Sequence, residues 1–272
     1  MKAKTHTVID QMGRCVEVPV SPRRIISLVP SQTELLASLG LEEEVVGITK
    51  FCVHPRRWYH SKTKIGGTKQ LRMEVVERLQ PDLIIGNKEE NEKAQIEALE
   101  KRYPVWMSDI ETIADALEMI EGVGALVGRH SESRQLREEI AAAWQKVHRR
   151  AAVLPHRRVL YLIWRKPYMA AGSSTFINEV LHFLGFENVC RQARYPAVEL
   201  PMQAEPDWVL LSSEPYPFKE KHMDEVRRLC PKAKVVLVDG EMFSWYGSRM
   251  REAPAYFEQL VGHMLALSAA AR

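Results

Sequence analysis

The chain has 272 residues, of which 46% are hydrophobic and 27% are charged, and its formal net charge is +3. This charge gives no support for nucleic-acid binding, because no run of Lys and Arg exceeds three residues. No apolar stretch approaches the ~18 residues of a membrane-spanning helix, which excludes direct membrane insertion. The composition is that of a globular protein long enough for two α/β lobes.

The N-terminal segment is predicted to be a β-hairpin, because two strand-like runs, Thr7–Asp10 and Cys15–Val18, flank a turn near Gly13. The first eight residues contain no apolar signal-peptide core. We therefore expect either a cytoplasmic protein or one whose export signal lies outside this sequence. The cysteines are scattered without a C-x-x-C spacing and are predicted to be isolated thiols.

The first half of the chain alternates strand and helix signals. Apolar runs predict strands at residues 24–29, 45–48, 82–86 and 105–107. A helix between the first two strands is predicted to start at an N-cap, Ser31, with Glu34 completing a capping box, and to close on Gly40. The run after Pro81-Asp82 is continuously apolar, which is typical of a parallel strand that is covered on both faces.

One long amphipathic helix is predicted in the middle of the chain, from Ser131 as N-cap to Val153, with Pro155 ending it. Its apolar stripe recurs at steps of three and four residues and comprises Leu136, Ile140, Trp144, Val147 and Ala151.

The second half repeats the order of the first. A strand at 158–164 leads to a helix that closes on Gly185, and Pro206-Asp207 launches another apolar strand. We therefore predict two Rossmann-like α/β lobes with mostly parallel sheets, joined by one long rigid helix. The predicted division is an N-terminal lobe at 1–127, the connecting helix at 128–153 and a C-terminal lobe at 154–272.

Two motifs carry a family resemblance. The run DQMGRCVEVPVSPRRIISLVPSQTELLASLG at 10–40 resembles the opening of the vitamin B12-, haem- and siderophore-binding proteins that serve bacterial ABC importers. LQPDLIIG at 79–86 and the central helix extend the resemblance along the chain, which looks most similar to the vitamin B12-binding branch.

The resemblance implies an extracytoplasmic, monomeric receptor. It would capture a metal-containing ligand in a cleft between the lobes and pass it to the membrane subunits of an ABC importer. A corrinoid is the first choice of ligand, with haem or a ferric siderophore next, and no catalytic cofactor is expected. An intracellular chelatase-like enzyme or a tetrapyrrole or metal chaperone is the alternative.

Candidate ligand-binding residues lie in the loops after the predicted strands, where ligands of parallel sheets bind. They are Phe51, His54, Trp58, Asn87, Trp164, Tyr168, Phe218, Trp245, Tyr246 and Arg249. The aromatic members suit a large, flat ligand, although each is also compatible with ordinary packing at a loop base. The chain departs from the vitamin B12-binding branch at Lys69, Asn87 and Ala197, where that branch has aromatic residues, and at Trp245, where it has a basic one.

Two glutamates are candidates for docking onto the importer. Glu74 and Glu199 each lie seven residues before the proline of a Pro-Asp turn, and the resemblance implies that such residues contact importer arginines. The alternative is that both are solvated acids near helix N-termini.

No catalytic motif is present. The sequence contains no P-loop, no H-E-x-x-H and no G-x-S-x-G, so no enzymatic activity is predicted. The glycines at 122, 124 and 128 continue a helical pattern and are predicted to serve close helix packing. His54 and His60 are the only histidine pair near a ligand loop, and no metal site is predicted.

Overall fold

The computed structural model describes residues 4–151 and 156–269. The chain forms two compact units, each described here by itself. The N-terminal unit comprises residues up to Ile110, Ala114–Glu139 and Tyr246–Arg249; the C-terminal unit comprises Glu111–Ile113, Ile140–Trp245 and residues from Met250 onward. The predicted three-part division, with the central helix as a separate element, stays a prediction.

The N-terminal unit contains nine described strands and five helices. The strands are β1 (Thr5–Ile9), β2 (Cys15–Pro19), β3 (Ile25–Ser27), β4 (Val45–Ile48), β5 (Thr63–Lys64), β6 (Gly66–Gly67), β7 (Gln70–Leu71), β8 (Leu83–Asn87) and β9 (Val105–Ser108). The helices are α1 (Pro30–Ser38), α2 (Arg56–Ser61), α3 (Met73–Leu79), α4 (Lys93–Glu100) and α5 (Ile113–Leu126). The main sheet is parallel in the order β5-β4-β3-β8-β9, and β1 and β2 form the predicted antiparallel hairpin.

Helix α6 (His130–Ala151) begins one residue before the predicted cap, Ser131. Its predicted stripe is buried throughout, with Ile140 at 0% and Trp144 at 2% exposure. The Trp144 indole donates a hydrogen bond of 2.8 Å to the Met250 carbonyl, so this stripe residue is fixed by a polar contact as well as by packing. The predicted stop, Pro155, lies outside the described residues.

The C-terminal unit contains the remaining described elements. The strands are β10 (Arg157–Trp164), β11 (Met169–Ala170), β12 (Phe186–Asn188), β13 (Trp208–Ser212) and β14 (Lys234–Val238). The helices are α7 (Phe176–Phe183), α8 (Glu220–Leu229), α9 (Gly240–Ser244) and α10 (Ala253–Ala269). A 3₁₀ turn at Gly247–Arg251 begins in residues of the N-terminal unit and ends in residues of the C-terminal unit. Strands β12, β10, β13 and β14 are parallel neighbours in that order, and β11 pairs antiparallel with β10.

The two sheets have the same wiring, which confirms the predicted fold class. In each, the first core strand pairs with the next parallel strand and with the strand that follows the Pro-Asp turn. The two aspartates act alike: Asp82 accepts the Arg24 amide N–H at 2.8 Å, and Asp207 accepts the Arg158 amide N–H at 2.8 Å. Each carboxylate thereby satisfies a backbone donor at the start of the neighbouring strand.

The predicted capping box of α1 is wrong. The helix begins at Pro30, with Val29 as N-cap and no side-chain cap. Proline is favourable in the first turn because its missing N–H would have had no helical acceptor. Glu34 instead forms two hydrogen bonds with Arg249, at 2.7 and 3.0 Å.

The predicted glycine packing is confirmed at Gly124. A Cβ atom there would clash with the Ser133 side chain, so α5 and α6 approach closely because this residue has none.

Candidate functional site

The loops after the parallel strands are where the predicted ligand residues of both units are found. In the N-terminal unit, Phe51 is 50% exposed and follows β4, and the Lys50 ammonium lies 5.1 Å from its ring centroid. His54, in the same loop, is half-buried. An exposed ring beside a cation is available to a ligand with an apolar face.

Two other predicted ligand residues of this unit are buried and form hydrogen bonds within the protein. Trp58 is fully buried, and its indole donates a hydrogen bond of 2.7 Å to Glu42. Asn87 is 2% exposed; its amide donates to the Ser108 hydroxyl at 3.0 Å, and its Oδ1 accepts the Glu89 amide N–H at 2.9 Å. Asn87 therefore shapes the loop after β8, and neither side chain is accessible to a ligand in this structure.

Trp164 is the most exposed predicted aromatic of the C-terminal unit. It ends β10, is 41% exposed, and contacts Tyr216 edge-on with ring centroids 5.7 Å apart. Tyr216 in turn packs on Phe218 at 4.8 Å, and Phe218 is itself 5% exposed and part of the core. The three rings form one cluster, in which Trp164 is the exposed member and Phe218 is buried in the core.

An ion pair and a tyrosine hydroxyl fix the segment that follows Trp164. The Arg165 guanidinium donates to Glu225 at 2.6 Å, and the Tyr168 hydroxyl donates to the same carboxylate at 2.5 Å. Arg165 first, and then Tyr168, lower the pKa of Glu225 to about 2. Burial, and then the bond to Glu225, raises the pKa of Tyr168 to about 12, so its hydroxyl stays protonated and committed to Glu225.

Trp245 is held by the half-buried carboxylate of Glu214. It is 7% exposed, and its indole N–H donates to Glu214 Oε1 at 2.8 Å; the Ser244 hydroxyl donates to the same oxygen at 2.8 Å. Burial raises the pKa of Glu214 to about 7. A Cβ at position 240 would lie 2.6 Å from the Glu214 Cγ, so Gly240 makes room for the carboxylate.

Tyr246 and Arg249 belong to the N-terminal unit and are 7% and 8% exposed. The Arg249 guanidinium binds the Glu34 carboxylate through two of its nitrogens, an arrangement that is both strong and directional. A ligand that used Arg249 would compete with this carboxylate.

The two predicted docking residues differ in their local structure. Glu74 lies in the first turn of α3, with its side chain 67% exposed and 3.2 Å from the Arg72 guanidinium. Its own backbone amide, and then Arg72, hold the pKa of Glu74 below its ordinary value. Glu199 is exposed in an irregular segment between β12 and β13 rather than at a helix start.

The roles of the predicted site residues stay predictions. Tyr216, Glu214 and Glu225 are absent from the predicted set, although Tyr216 lies in a loop that the sequence indicates through Glu-Pro-Tyr-Pro-Phe. Within residues 4–151 and 156–269, no group of three His, Cys, Asp or Glu side chains is arranged to hold a metal ion. The described helices include none that is long and apolar enough to cross a membrane.

The profile of the periplasmic binding protein family matches residues 25–228, and the chain therefore belongs to this family. An uncharacterised ABC transporter substrate-binding lipoprotein of Bacillus subtilis, YvrC, is 25% identical over 191 residues, covering 67% of this chain and 60% of the relative. The vitamin B12-binding protein of Vibrio parahaemolyticus is 27% identical over 184 residues, covering 65% of each chain. The chain thus spans less than two thirds of the length of these two relatives.

Solved structures share the fold. The periplasmic vitamin B12 binding protein of Vibrio cholerae has a TM-score of 0.76 at 18% identity, covering 88% of this chain and 98% of that one. A periplasmic heme binding protein from Pseudomonas aeruginosa has a TM-score of 0.76 at 19% identity, covering 87% and 91%. The petrobactin-binding protein YclQ of Bacillus subtilis has a TM-score of 0.78 at 16% identity, covering 94% and 98%. The named relatives and neighbours are binding proteins rather than enzymes.

Proposed function

We propose that the chain is a solute-binding receptor that captures a metal-containing ligand and delivers it to an ABC importer. The observation that carries this proposal is the aromatic cluster of the C-terminal unit. Trp164 is 41% exposed at the carboxyl end of a parallel strand, where ligands of such sheets bind. Tyr216 supports its ring, and the Arg165–Glu225 pair fixes the segment that follows.

This arrangement suits a large ligand with a flat apolar face. An aromatic ring that is already fixed loses little conformational freedom when it stacks on a ligand, so more of the contact energy appears as affinity. Phe51 of the N-terminal unit offers a second exposed ring, 50% accessible, with the Lys50 ammonium beside it for a polar or anionic edge.

A corrinoid is the first choice of ligand, because the relative in Vibrio parahaemolyticus is a vitamin B12-binding protein. Haem and ferric siderophores come next, since structural neighbours bind heme and petrobactin. The chelatase-like or chaperone alternative finds no support among the named relatives. The proposed location is outside the cytoplasm, which is supported by the similarity to a periplasmic vitamin B12 binding protein. The proposed state is a monomer.

The test is an absorbance and fluorescence titration of the protein with cyanocobalamin, haemin and a ferric siderophore. We expect one of the three to bind saturably, and Trp164→Ala to weaken that binding by about 1–3 kcal/mol, the usual range for a central aromatic contact. Leu265→Ala is the matched control, because this exposed side chain lies on α10 of the same unit. If Trp164→Ala leaves the affinity unchanged, the cluster is not the ligand-binding surface.

Docking is tested separately. We propose that Glu74 and Glu199 contact cationic residues of the importer. Reversal of both charges should abolish importer-dependent uptake without changing ligand affinity, because electrostatic contacts of this kind set registration between partners. Uptake that survives the double reversal would remove the docking role.

A further inference from the structure

A second candidate site lies in the N-terminal unit, in a pocket of about 410 Å³; of its lining residues, the proposed function uses Lys50 and Glu74. Three segments of the chain border this pocket. Lys50 follows β4, Lys64 ends β5, and Arg72 and Glu74 stand at the start of α3.

Two glycines form the wall of this pocket. Gly66 has a φ of +108°, and a Cβ there would clash with the Gln70 carbonyl in the β6–β7 hairpin. A Cβ on Gly67 would lie 3.1 Å from the Phe51 ring, tighter than most such contacts. The hairpin therefore folds back closely only because both residues lack side chains, and its backbone borders the pocket directly.

The charge of the lining is positive. Among the described lining residues, three cations (Lys50, Lys64 and Arg72) accompany one carboxylate, Glu74. The Arg72 Nε lies 3.2 Å from Glu74 Oε1, which uses one of the five guanidinium donors.

Lys64 is a fixed cation rather than a mobile one. Its ammonium donates to the Tyr59 carbonyl at 2.5 Å and to the Lys62 carbonyl at 2.8 Å. The ammonium also lies 4.9 Å from the centroid of the Tyr59 ring. A lysine ammonium has three N–H donors, so one remains for a hydrogen bond to a further acceptor. Burial lowers the pKa of Lys64, so an anion at this position would relieve a desolvated charge.

We propose that this pocket binds an oxyanion group, phosphate or carboxylate, of a small molecule, between the Lys64 ammonium and the Arg72 guanidinium. Arg72 matches the planar fork geometry of such groups, and Lys64 supplies an oriented point charge. Glu74 opposes a highly charged anion, so its removal strengthens binding. The volume of about 410 Å³ leaves room for a group larger than a single phosphate.

The test is calorimetric titration with inorganic phosphate, pyrophosphate and citrate at constant ionic strength, with chloride as the balancing anion. We expect one saturable site; preference for pyrophosphate or for citrate separates the phosphate and carboxylate classes. The double variant Lys64→Gln/Arg72→Gln should raise the Kd at least about tenfold, the effect of losing two charge-assisted hydrogen bonds. Glu74→Gln should lower it.

Lys101→Gln is the matched control, because Lys101 is an exposed lysine at the C-terminal end of α4 and does not line the pocket. It should leave the Kd unchanged. Absence of saturable binding by the wild type, an equal loss in the Lys101 variant, or weaker binding by Glu74→Gln would each overturn the proposal. None of these results depends on whether the chain binds a corrinoid, haem or siderophore.

Discussion

The half-buried carboxylate of Glu214 is expected to make the stability of the protein depend on pH, and replacing it with glutamine tests this. In the wild type, the Trp245 indole and the Ser244 hydroxyl each donate a hydrogen bond of 2.8 Å to Glu214 Oε1. Glu214→Gln keeps the shape of the side chain and an oxygen that accepts these hydrogen bonds. It removes the ionisable proton. The variant therefore separates the titration from the packing.

The expected magnitude follows from the pKa. Burial raises the pKa of Glu214 from 4.5 to about 7. At about 1.4 kcal/mol for each pH unit, the change from 4.5 to about 7 corresponds to about 3–4 kcal/mol. Because the folded state holds its proton more tightly than the unfolded state, this stability is present below the unfolded pKa and is lost as the pH rises through about 7.

The measurement is the free energy of unfolding in urea, for wild type and Glu214→Gln, at several values between about pH 4 and about pH 8. The difference between the two proteins should shift by about 3–4 kcal/mol across that range, in favour of the variant at high pH. Glu205→Gln is the control, since the Glu205 side chain is 55% exposed and pairs with Lys232 on the surface. Parallel stability curves for wild type and Glu214→Gln would refute the reasoning.

Two further predictions concern stability. Gly124→Ala should destabilise the protein by about 1–3 kcal/mol, because the new Cβ clashes with Ser133. Gly122→Ala should be neutral or stabilising by up to about 1 kcal/mol, because its Cβ lies at an ordinary contact distance of 3.5 Å from Trp106. Thermal unfolding distinguishes the pair, and equal effects would contradict the close approach of α5 and α6. Glu225→Gln should lower the stability at neutral pH and make the loss of stability in acid less steep. The pKa of Glu225 is about 2, so the stability that its carboxylate contributes is present above the ordinary pKa and is lost as the pH falls towards 2. An acid-unfolding curve with the wild-type slope would exclude a stabilising role for the Arg165–Glu225 pair.

Local patterns in the sequence were sufficient to predict the fold class, the main core strands and the long helix. The stripe from Leu136 to Ala151 recurs at helical spacing, and all five of its residues are buried in α6. The continuous apolar runs after Pro81-Asp82 and Pro206-Asp207 become β8 and β13, whose residues are buried. These features are determined by periodicity and by short-range backbone chemistry, which a sequence displays directly.

The candidate site depended on contacts that the sequence does not display. An aromatic residue after a strand has the same sequence signature whether it faces outward, as Trp164 does at 41% exposure, or is buried, as Trp58 is at 0%. Which of the two occurs depends on what the rest of the fold places against it.

The charged groups show the same limit most clearly. Glu34 has the spacing of a capping residue, yet its partner is Arg249, 215 positions further along the chain. Glu214 resembles any loop glutamate in sequence, and its pKa rises to about 7 because folding removes much of its carboxyl group from water. The sequence alone determined the main core strands, the long helix and the duplicated order of the two halves, since these depend on neighbouring residues. Only the tertiary structure decided which side chains are exposed, paired or titratable, because burial and long-range contacts exist only once the chain has folded.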